Sequence, residues 1–207
     1  MHIYVFGSVC RGEIDHGSDV DLIALVSEFD SRFDPSIYSI YSYTRLKGLW
    51  QEGNPFAWHL AIESKMVFSS DGNDFIKNLG KPSRYNSTKL DCLKFYNLFL
   101  TAASSIISGC SSAVFELSTI FLAIRNFATC YSLGQLGYHD FSRYSAQRLG
   151  DDSLSLPKDC FSILERCRIL STRGAGPMIN ADEISIAVSN INTIRQWMEI
   201  LLSKGML

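Results

Sequence analysis

The hydrophobic periodicity of this chain changes at about Ser83, and this change constrains the fold more than any other feature. Before it, short apolar runs lie between turn residues, and residues 3–6, 20–26 and 56–62 are predicted β-strands. After it, apolar residues recur at helical spacing over long segments. The 207-residue chain is therefore expected to be an α+β protein, with a small N-terminal domain over residues 1–80 and an α-helical bundle over residues 83–207.

Four helices are expected in the bundle. The first ends at Gly109, since glycine commonly terminates helices. The second, over residues 112–133, is apolar nearly all round, which is typical of a central helix. Pro157 is placed to begin the third. Asn180, with Glu183 three residues later, predicts a capping box at the start of a fourth helix over residues 181–203.

Charge is distributed unevenly along the chain. The net charge is −2, but residues 1–80 contain 6 basic and 11 acidic residues, whereas residues 81–207 contain 13 and 10. No overall positive field is available to hold a long polyanion, so a long nucleic acid is not an expected partner.

The cysteines and the N-terminus indicate the compartment. Six cysteines, at positions 10, 92, 110, 130, 160 and 167, form no C-x-x-C pair, and we interpret them as reduced, buried thiols. The apolar run at residues 3–6 is too short for a signal peptide or a membrane span. A cytoplasmic location without membrane association is therefore expected.

The sharpest motif joins the first two predicted strands. It consists of Gly7, Ser8, Val9, Cys10, Arg11 and Gly12, followed by Ser18, Asp19, Val20 and Asp21. A strand that turns at a glycine into a short helix presents backbone N–H groups to a phosphate, and Ser8 adds a hydroxyl donor. Asp19 and Asp21 are two residues apart, so in a strand their carboxylates share one face and suit Mg²⁺, which prefers oxygen ligands. This pattern is typical of a site for in-line attack on a nucleotide phosphate.

At these residues the chain resembles the DNA polymerase β-like nucleotidyltransferase superfamily, in which Gly-Ser is followed about ten residues later by Asp-x-Asp. The resemblance covers residues 3–26, and Arg11, Gly12 and Ser18 also match its minimal and kanamycin nucleotidyltransferase-like members. It implies a mixed sheet that carries the metal site, with a C-terminal helical bundle. The implied site residues are Asp19 and Asp21 as catalytic Mg²⁺ ligands, with Gly7, Ser8, Arg11 and Ser18 as the nucleotide-binding residues.

A third carboxylate from a later strand completes the site in active members of the superfamily. The predicted strand at residues 56–62 would place His59 and Glu63 on one face, with Ala61 between them. His59 is closer to the acidic position of the family and could accept a proton or bind metal as neutral imidazole, whereas Glu63 is the right chemical type. Both are candidate catalytic residues, and Glu116 of the second predicted helix is a third candidate base.

Two other comparisons with the superfamily bear on partners. The chain starts at its first strand, where family members commonly have a helix that covers one sheet face, and a homodimer is one way to cover that face.

The second predicted helix carries one polar stripe, formed by Ser118, Arg125, Thr129 and Ser132. Arg125 could bind a triphosphate or serve a structural role. The Arg-then-His pattern of helical ribonucleases paired with minimal members is missing, since Cys130, Tyr131 and Ser132 stand at those positions.

The function implied by the resemblance is Mg²⁺-dependent transfer of a nucleoside monophosphate to a hydroxyl acceptor, with AMP from ATP as the expected case. The acceptor could be a small molecule, such as an aminoglycoside, or a protein side chain. The alternative is a catalytically impaired nucleotide-binding or antitoxin-type module of the same fold. A template-independent polymerase acting on RNA ends is disfavoured by the net charge and by the lack of a basic stripe.

Overall fold

The computed structural model describes residues 1–13, 20–28 and 30–204. They form two compact units, Met1–Asn86 and Ser87–Leu207. The first contains a mixed four-stranded sheet and short helices, and the second is mostly helical, which confirms the predicted α+β class.

The sheet of the first unit has the strand order β3-β2-β1-β4. Its strands are β1 (His2–Phe6), β2 (Asp21–Val26), β3 (Tyr38–Ser42) and β4 (Ser64–Ser69). β1 is antiparallel to both β2 and β4, and β2 is parallel to β3. The register pairs Phe6 with Asp21 on one side and with Ser64 on the other, so the C-terminal end of β1 lies between the starts of β2 and β4.

In the described part of this unit the sheet is accompanied by four helices: α1 (Ser8–Arg11), α2 (Tyr43–Gln51), α3 (Pro55–Glu63) and α4 (Phe75–Leu79). Tyr4 and Phe6 of β1 and Ile23 and Leu25 of β2 alternate onto one sheet face, and they pack with the buried residues of α2, α3 and α4 in a single core. Burial of these side chains stabilises the ends of β1 and β2, where the motif residues lie.

The predicted strand at residues 56–62 is wrong, because this segment lies in helix α3. Pro55 occupies the first turn, and the side chain of Asn54 accepts a hydrogen bond of 2.9 Å from the backbone N–H of Phe56. An Asn cap followed by proline is a strong helix start. Ala57 and Leu60 are buried at helical spacing, and the alternation of apolar residues in this segment does not reflect a strand.

The second unit is organised around one long apolar helix. Its helices are α5 (Thr88–Ile107), α6 (Ala113–Tyr131), α7 (Lys158–Arg173), α8 (Ala181–Ser189) and α9 (Ile191–Lys204). α5 and α7 pack against α6, whose buried residues lie all round it, so the predicted central helix is confirmed. Within the described residues, the stretch Ala113–Leu136 is long and apolar enough to cross a membrane, and 56% of its most apolar window is buried in the structure.

The predicted fourth helix is divided in two at Asn190. The capping box of Asn180 and Glu183 is present at the start of α8, as expected. At its end, Asn190 Nδ2 and Ser189 Oγ both donate to the carbonyl oxygen of Ile186. Such hydrogen bonds from side chains to the backbone compete with the helical pattern, so α8 ends and α9 begins at Ile191.

All six cysteines are free. Cys92, Cys130, Cys160 and Cys167 are buried, whereas Cys10 and Cys110 are half-buried. Burial raises the pKa of the Cys160 thiol to about 11, which keeps it protonated at neutral pH.

Candidate active site

The turn after β1 brings a carboxylate against a glycine. Gly7 has a φ of 76°, in the left-handed region that favours glycine. A Cβ atom at this position would lie 2.7 Å from Oδ2 of Asp21, well inside van der Waals contact. Glycine is therefore required at position 7 both by its backbone conformation and by the carboxylate that occupies the space of a side chain.

Helix α1 starts directly after this turn, and Gly12 ends it in the left-handed conformation. The backbone N–H groups of Cys10 and Arg11 donate to the carbonyl oxygen of Gly7. The first two residues of α1, Ser8 and Val9, have no acceptor within so short a helix for their own N–H groups. The turn thus presents backbone donors and the half-buried Ser8 directly after the glycine that lies against Asp21.

Of the two aspartates of the motif, Asp19 and Asp21, the structure describes Asp21. It is the first residue of β2, pairs with Phe6, and is half-buried. Asp19 and Ser18, the other predicted residues of this segment, lie outside the described residues. The geometry of the site therefore rests on Gly7 and Asp21.

Glu63 lies on the other side of the same turn. Its carbonyl oxygen accepts a hydrogen bond of 3.2 Å from the N–H of Gly7. Its carboxylate accepts a hydrogen bond from Arg11 Nη1, and Oε2 is 2.9 Å from His59 Nε2. The side chains of Glu63, His59 and Arg11 are only 11%, 13% and 19% exposed. Although the predicted strand is a helix, the i,i+4 spacing in α3 still places His59 and Glu63 together.

Arg11 is held by two carboxylates. Besides the bond to Glu63, its Nε donates to Glu13 Oε2 at 2.8 Å. Burial acts to lower the pKa of Arg11, but the hydrogen bonds and charges of Glu13 and Glu63 outweigh it, so the pKa is raised. Arg11 is thus a fixed cation at the end of α1. The motif did not indicate Glu13 as its second partner, although a carboxylate two residues from an arginine was a usable signal.

A third carboxylate next to Asp21 is not supplied by the neighbouring strand. β3 is parallel to β2 and contains only Tyr, Ser and Ile, so it offers no carboxylate. In the described part of the chain, His, Cys, Asp and Glu residues form no cluster of three or more that could hold a metal ion. Glu63 and Glu13, the carboxylates that the described residues bring to Arg11 beside this turn, are both ion-paired with it.

Replacing Glu63 by Gln is expected to destabilise the protein by about 2 kcal/mol or more, because Arg11 and His59 would lose a largely buried anionic partner. Urea unfolding measures this loss. Glu52→Gln is the matched control, since Glu52 forms an exposed ion pair with Arg45 at 3.5 Å, and its unfolding midpoint should stay within error of the wild type. Equal midpoints for the two variants would contradict a supporting role for Glu63 at this turn.

The predicted polar stripe of α6 has structural partners within the second unit. Arg125 Nη2 donates to the carbonyl oxygen of Phe141 at 2.9 Å, and Thr129 Oγ1 donates to that of Asp140 at 2.9 Å. Glu116 accepts a hydrogen bond of 2.7 Å from Ser105 Oγ. These contacts fasten the segment after α6 and join α5 to α6, which accounts for the polar residues on an apolar helix.

Comparison with known proteins identifies a family for the first unit, which contains the Gly7 turn. Residues 2–85 match the family model described as a nucleotidyltransferase domain. A search of curated proteins found no match for the chain. The matched range includes the Gly7 turn, Asp21 and the Arg11–Glu63–His59 network. Residues 2–85 are therefore a nucleotidyltransferase domain, consistent with the DNA polymerase β-like superfamily that the motif resembles.

Proposed function

We propose that the chain is a Mg²⁺-dependent enzyme that transfers AMP from ATP to a hydroxyl group of a small molecule or a protein. One observation carries the proposal: the Asp21 carboxylate lies against the Gly7 turn, which leaves no room for a side chain there. A carboxylate beside exposed backbone donors is the arrangement needed to hold a metal and phosphate oxygens together.

The donor set at the turn fits a hard cation. Asp21 offers carboxylate oxygens, and Asp19 is the proposed second ligand from the motif. Oxygen ligands completed by phosphate oxygens suit Mg²⁺, which would neutralise charge on the triphosphate when bound.

The chain's own groups would position the nucleotide. The N–H groups at the start of α1 and the Ser8 hydroxyl would hold phosphate oxygens, while Arg11, fixed by Glu13 and Glu63, would add a positive charge. In the transfer, the acceptor oxygen bonds to the α-phosphorus, the bond from that phosphorus to the bridging oxygen breaks, and pyrophosphate leaves. The acceptor proton would pass to the His59–Glu63 pair, the acid–imidazole pair that the described residues place at this turn.

Nucleotide-dependent stabilisation tests the proposed ligands. ATP with Mg²⁺ at 100 times its dissociation constant is expected to raise the free energy of unfolding by about 2.7 kcal/mol, since it binds the folded state. Thermal or urea unfolding with ATP, GTP, CTP and UTP, each with Mg²⁺ or with EDTA, measures this effect. Equal stability with and without every nucleotide would contradict the proposed site.

A catalytically impaired nucleotide-binding module is the second candidate, and two observations favour it. β3 carries no carboxylate next to β2, and the Glu63 carboxylate is engaged by Arg11 and His59. Such a module would show the same stabilisation by ATP and Mg²⁺, but it would release no pyrophosphate with any acceptor. Release of pyrophosphate above that of the Asp21→Asn variant would exclude it.

A further inference from the structure

The outer edge of β4 is an open strand edge with apolar residues. β4 is the last strand in the sheet order and pairs with β1 in the described part of the sheet. Three consecutive residues, Met66, Val67 and Phe68, are 40%, 62% and 42% exposed. A strand edge that combines unpaired backbone groups with exposed apolar side chains is a template for pairing with another chain.

The edge is only partly protected. A register shift between Ile3 and Tyr4 lies opposite the middle of β4, and Lys65 stands near its start. Bulges and lysines both discourage aggregation of sheet edges. They do not account for three exposed apolar residues in succession, which span about 10 Å of strand at 3.3 Å per residue.

A groove lies beside this edge, between α3, β4 and the segment that follows α4. Its volume is about 690 Å³. Its walls include three apolar residues, Trp58, Ile62 and Met66, and three lysines, Lys65, Lys77 and Lys81. The groove therefore combines apolar surface with positive charge at one edge of the sheet.

Three lysines and one aspartate line the groove, so positive charge is in excess there. The Asp74 carboxylate accepts hydrogen bonds from Tyr4 Oη at 3.0 Å and from the N–H of Lys77 at 3.1 Å, so it serves as a helix cap. None of the three lysines forms an ion pair with another described residue. A basic groove thus stands out on a unit whose first 80 residues carry more acidic than basic side chains.

We propose that this edge binds an extended acidic segment of a partner protein, which adds to the sheet as a fifth strand beside β4. The backbone of the segment would pair with β4, its acidic side chains would approach the lysines, and its alternate apolar side chains would contact Met66 and Trp58. This binding does not depend on nucleotidyl transfer, so the two proposals can fail separately.

Two other occupants fit the groove less well. A nucleic acid lacks the alternating N–H donors and C=O acceptors with which a peptide pairs along a strand edge, and a long one would extend over the acidic remainder of the unit. A second copy of the chain would bring its own Lys65, Lys77 and Lys81 towards the same lysines, which like-charge repulsion opposes.

The first experiment measures fluorescence anisotropy of a labelled peptide with the full chain. The peptide has about eight residues, with Glu or Asp alternating with Val, and we expect a dissociation constant below about 100 µM. Lys65→Glu combined with Lys81→Glu should weaken binding by about tenfold or more. The matched control, Arg45→Glu with Lys47→Glu on α2 of the same unit, makes the same change in charge and should alter binding by less than about threefold.

The second experiment separates strand pairing from charge attraction. The same peptide with alternate backbone nitrogens methylated keeps its charge but loses hydrogen-bond donors, and it should bind about tenfold more weakly or worse. Equal binding of the methylated peptide, or no binding at about 200 µM protein, would overturn the proposal. It would also be overturned if a single-stranded oligonucleotide of equal charge bound more tightly, or if the chain self-associated through this edge and the two lysine changes abolished the association.

Discussion

Replacing Asp21 by Asn is expected to lower nucleotidyl transfer by about 1,000-fold or more, which corresponds to about 4 kcal/mol of transition-state stabilisation. The carboxylate lies against the Gly7 turn, and the amide would remove the anionic ligand without changing the size of the side chain. Pyrophosphate release in the presence of ATP and Mg²⁺ measures the loss. The urea midpoint of the variant should equal or slightly exceed that of the wild type, because a negative charge is removed from an acidic segment.

Glu28→Gln is the control for this variant. Glu28 is an exposed residue just after β2, so the change removes the same charge close to the same strand without touching the turn. Its transfer activity should remain within about twofold of the wild type. If Asp21→Asn and Glu28→Gln retained equal activity, Asp21 would not be a metal ligand in this reaction.

Replacing Gly7 by Ala is expected to cost about 3 kcal/mol of stability or more and to abolish nucleotide-dependent stabilisation. Two effects add. The backbone conformation of Gly7, with a φ of 76° and a ψ of −140°, disfavours any residue with a Cβ atom by about 1–3 kcal/mol, and that atom would lie 2.7 Å from Asp21 Oδ2. The carboxylate must therefore move or the turn must open. Urea unfolding with and without ATP and Mg²⁺ measures both consequences.

Gly80→Ala separates the two effects. Gly80, which follows α4, has a similar backbone conformation, with a φ of 68° and a ψ of −152°, but no atom lies within 4 Å of the Cβ that alanine would add. It should therefore show the backbone cost of about 1–3 kcal/mol alone and keep the response to nucleotide. Equal destabilisation of Gly7→Ala and Gly80→Ala, with nucleotide binding retained in both, would show that the contact with Asp21 is unimportant.

Local patterns in the sequence predicted the elements that local physics determines. β1 and β2 follow from apolar runs, and α6 from an apolar helix of nearly uniform hydrophobicity. β4 was missed because an edge strand exposed on both faces shows no alternation, and β3 because Tyr and Ser alternate weakly with Ile. α3 was misread because the alternation of apolar residues was given more weight than the Asn54-Pro55 helix start.

The part of the site that lies within one local motif was predictable from the sequence. Gly7 and Asp21 belong to one short motif, so their proximity follows from two adjacent strands. The ion pair between Arg11 and Glu63 joins residues far apart in sequence, and it depends on β4 pairing with β1 and on α3 ending where β4 begins. No local pattern contains that register, so the engagement of Glu63 by both Arg11 and His59 emerged only from the structure.

Following the α- and γ-phosphates of ATP to their products tests the central claim, nucleotidyl transfer, most directly. The chain is incubated with Mg²⁺, a cell extract as the source of acceptors, and ATP labelled with ³²P at either the α- or the γ-phosphate. Relative to the same extract without the chain, our account predicts that more α-label becomes attached to an acceptor, that γ-label appears in an equal additional amount of pyrophosphate, and that Asp21→Asn abolishes both increases. An increase in transfer of the γ-label to an acceptor, or ATP binding without any increase in movement of the α-label, would contradict nucleotidyl transfer by this chain.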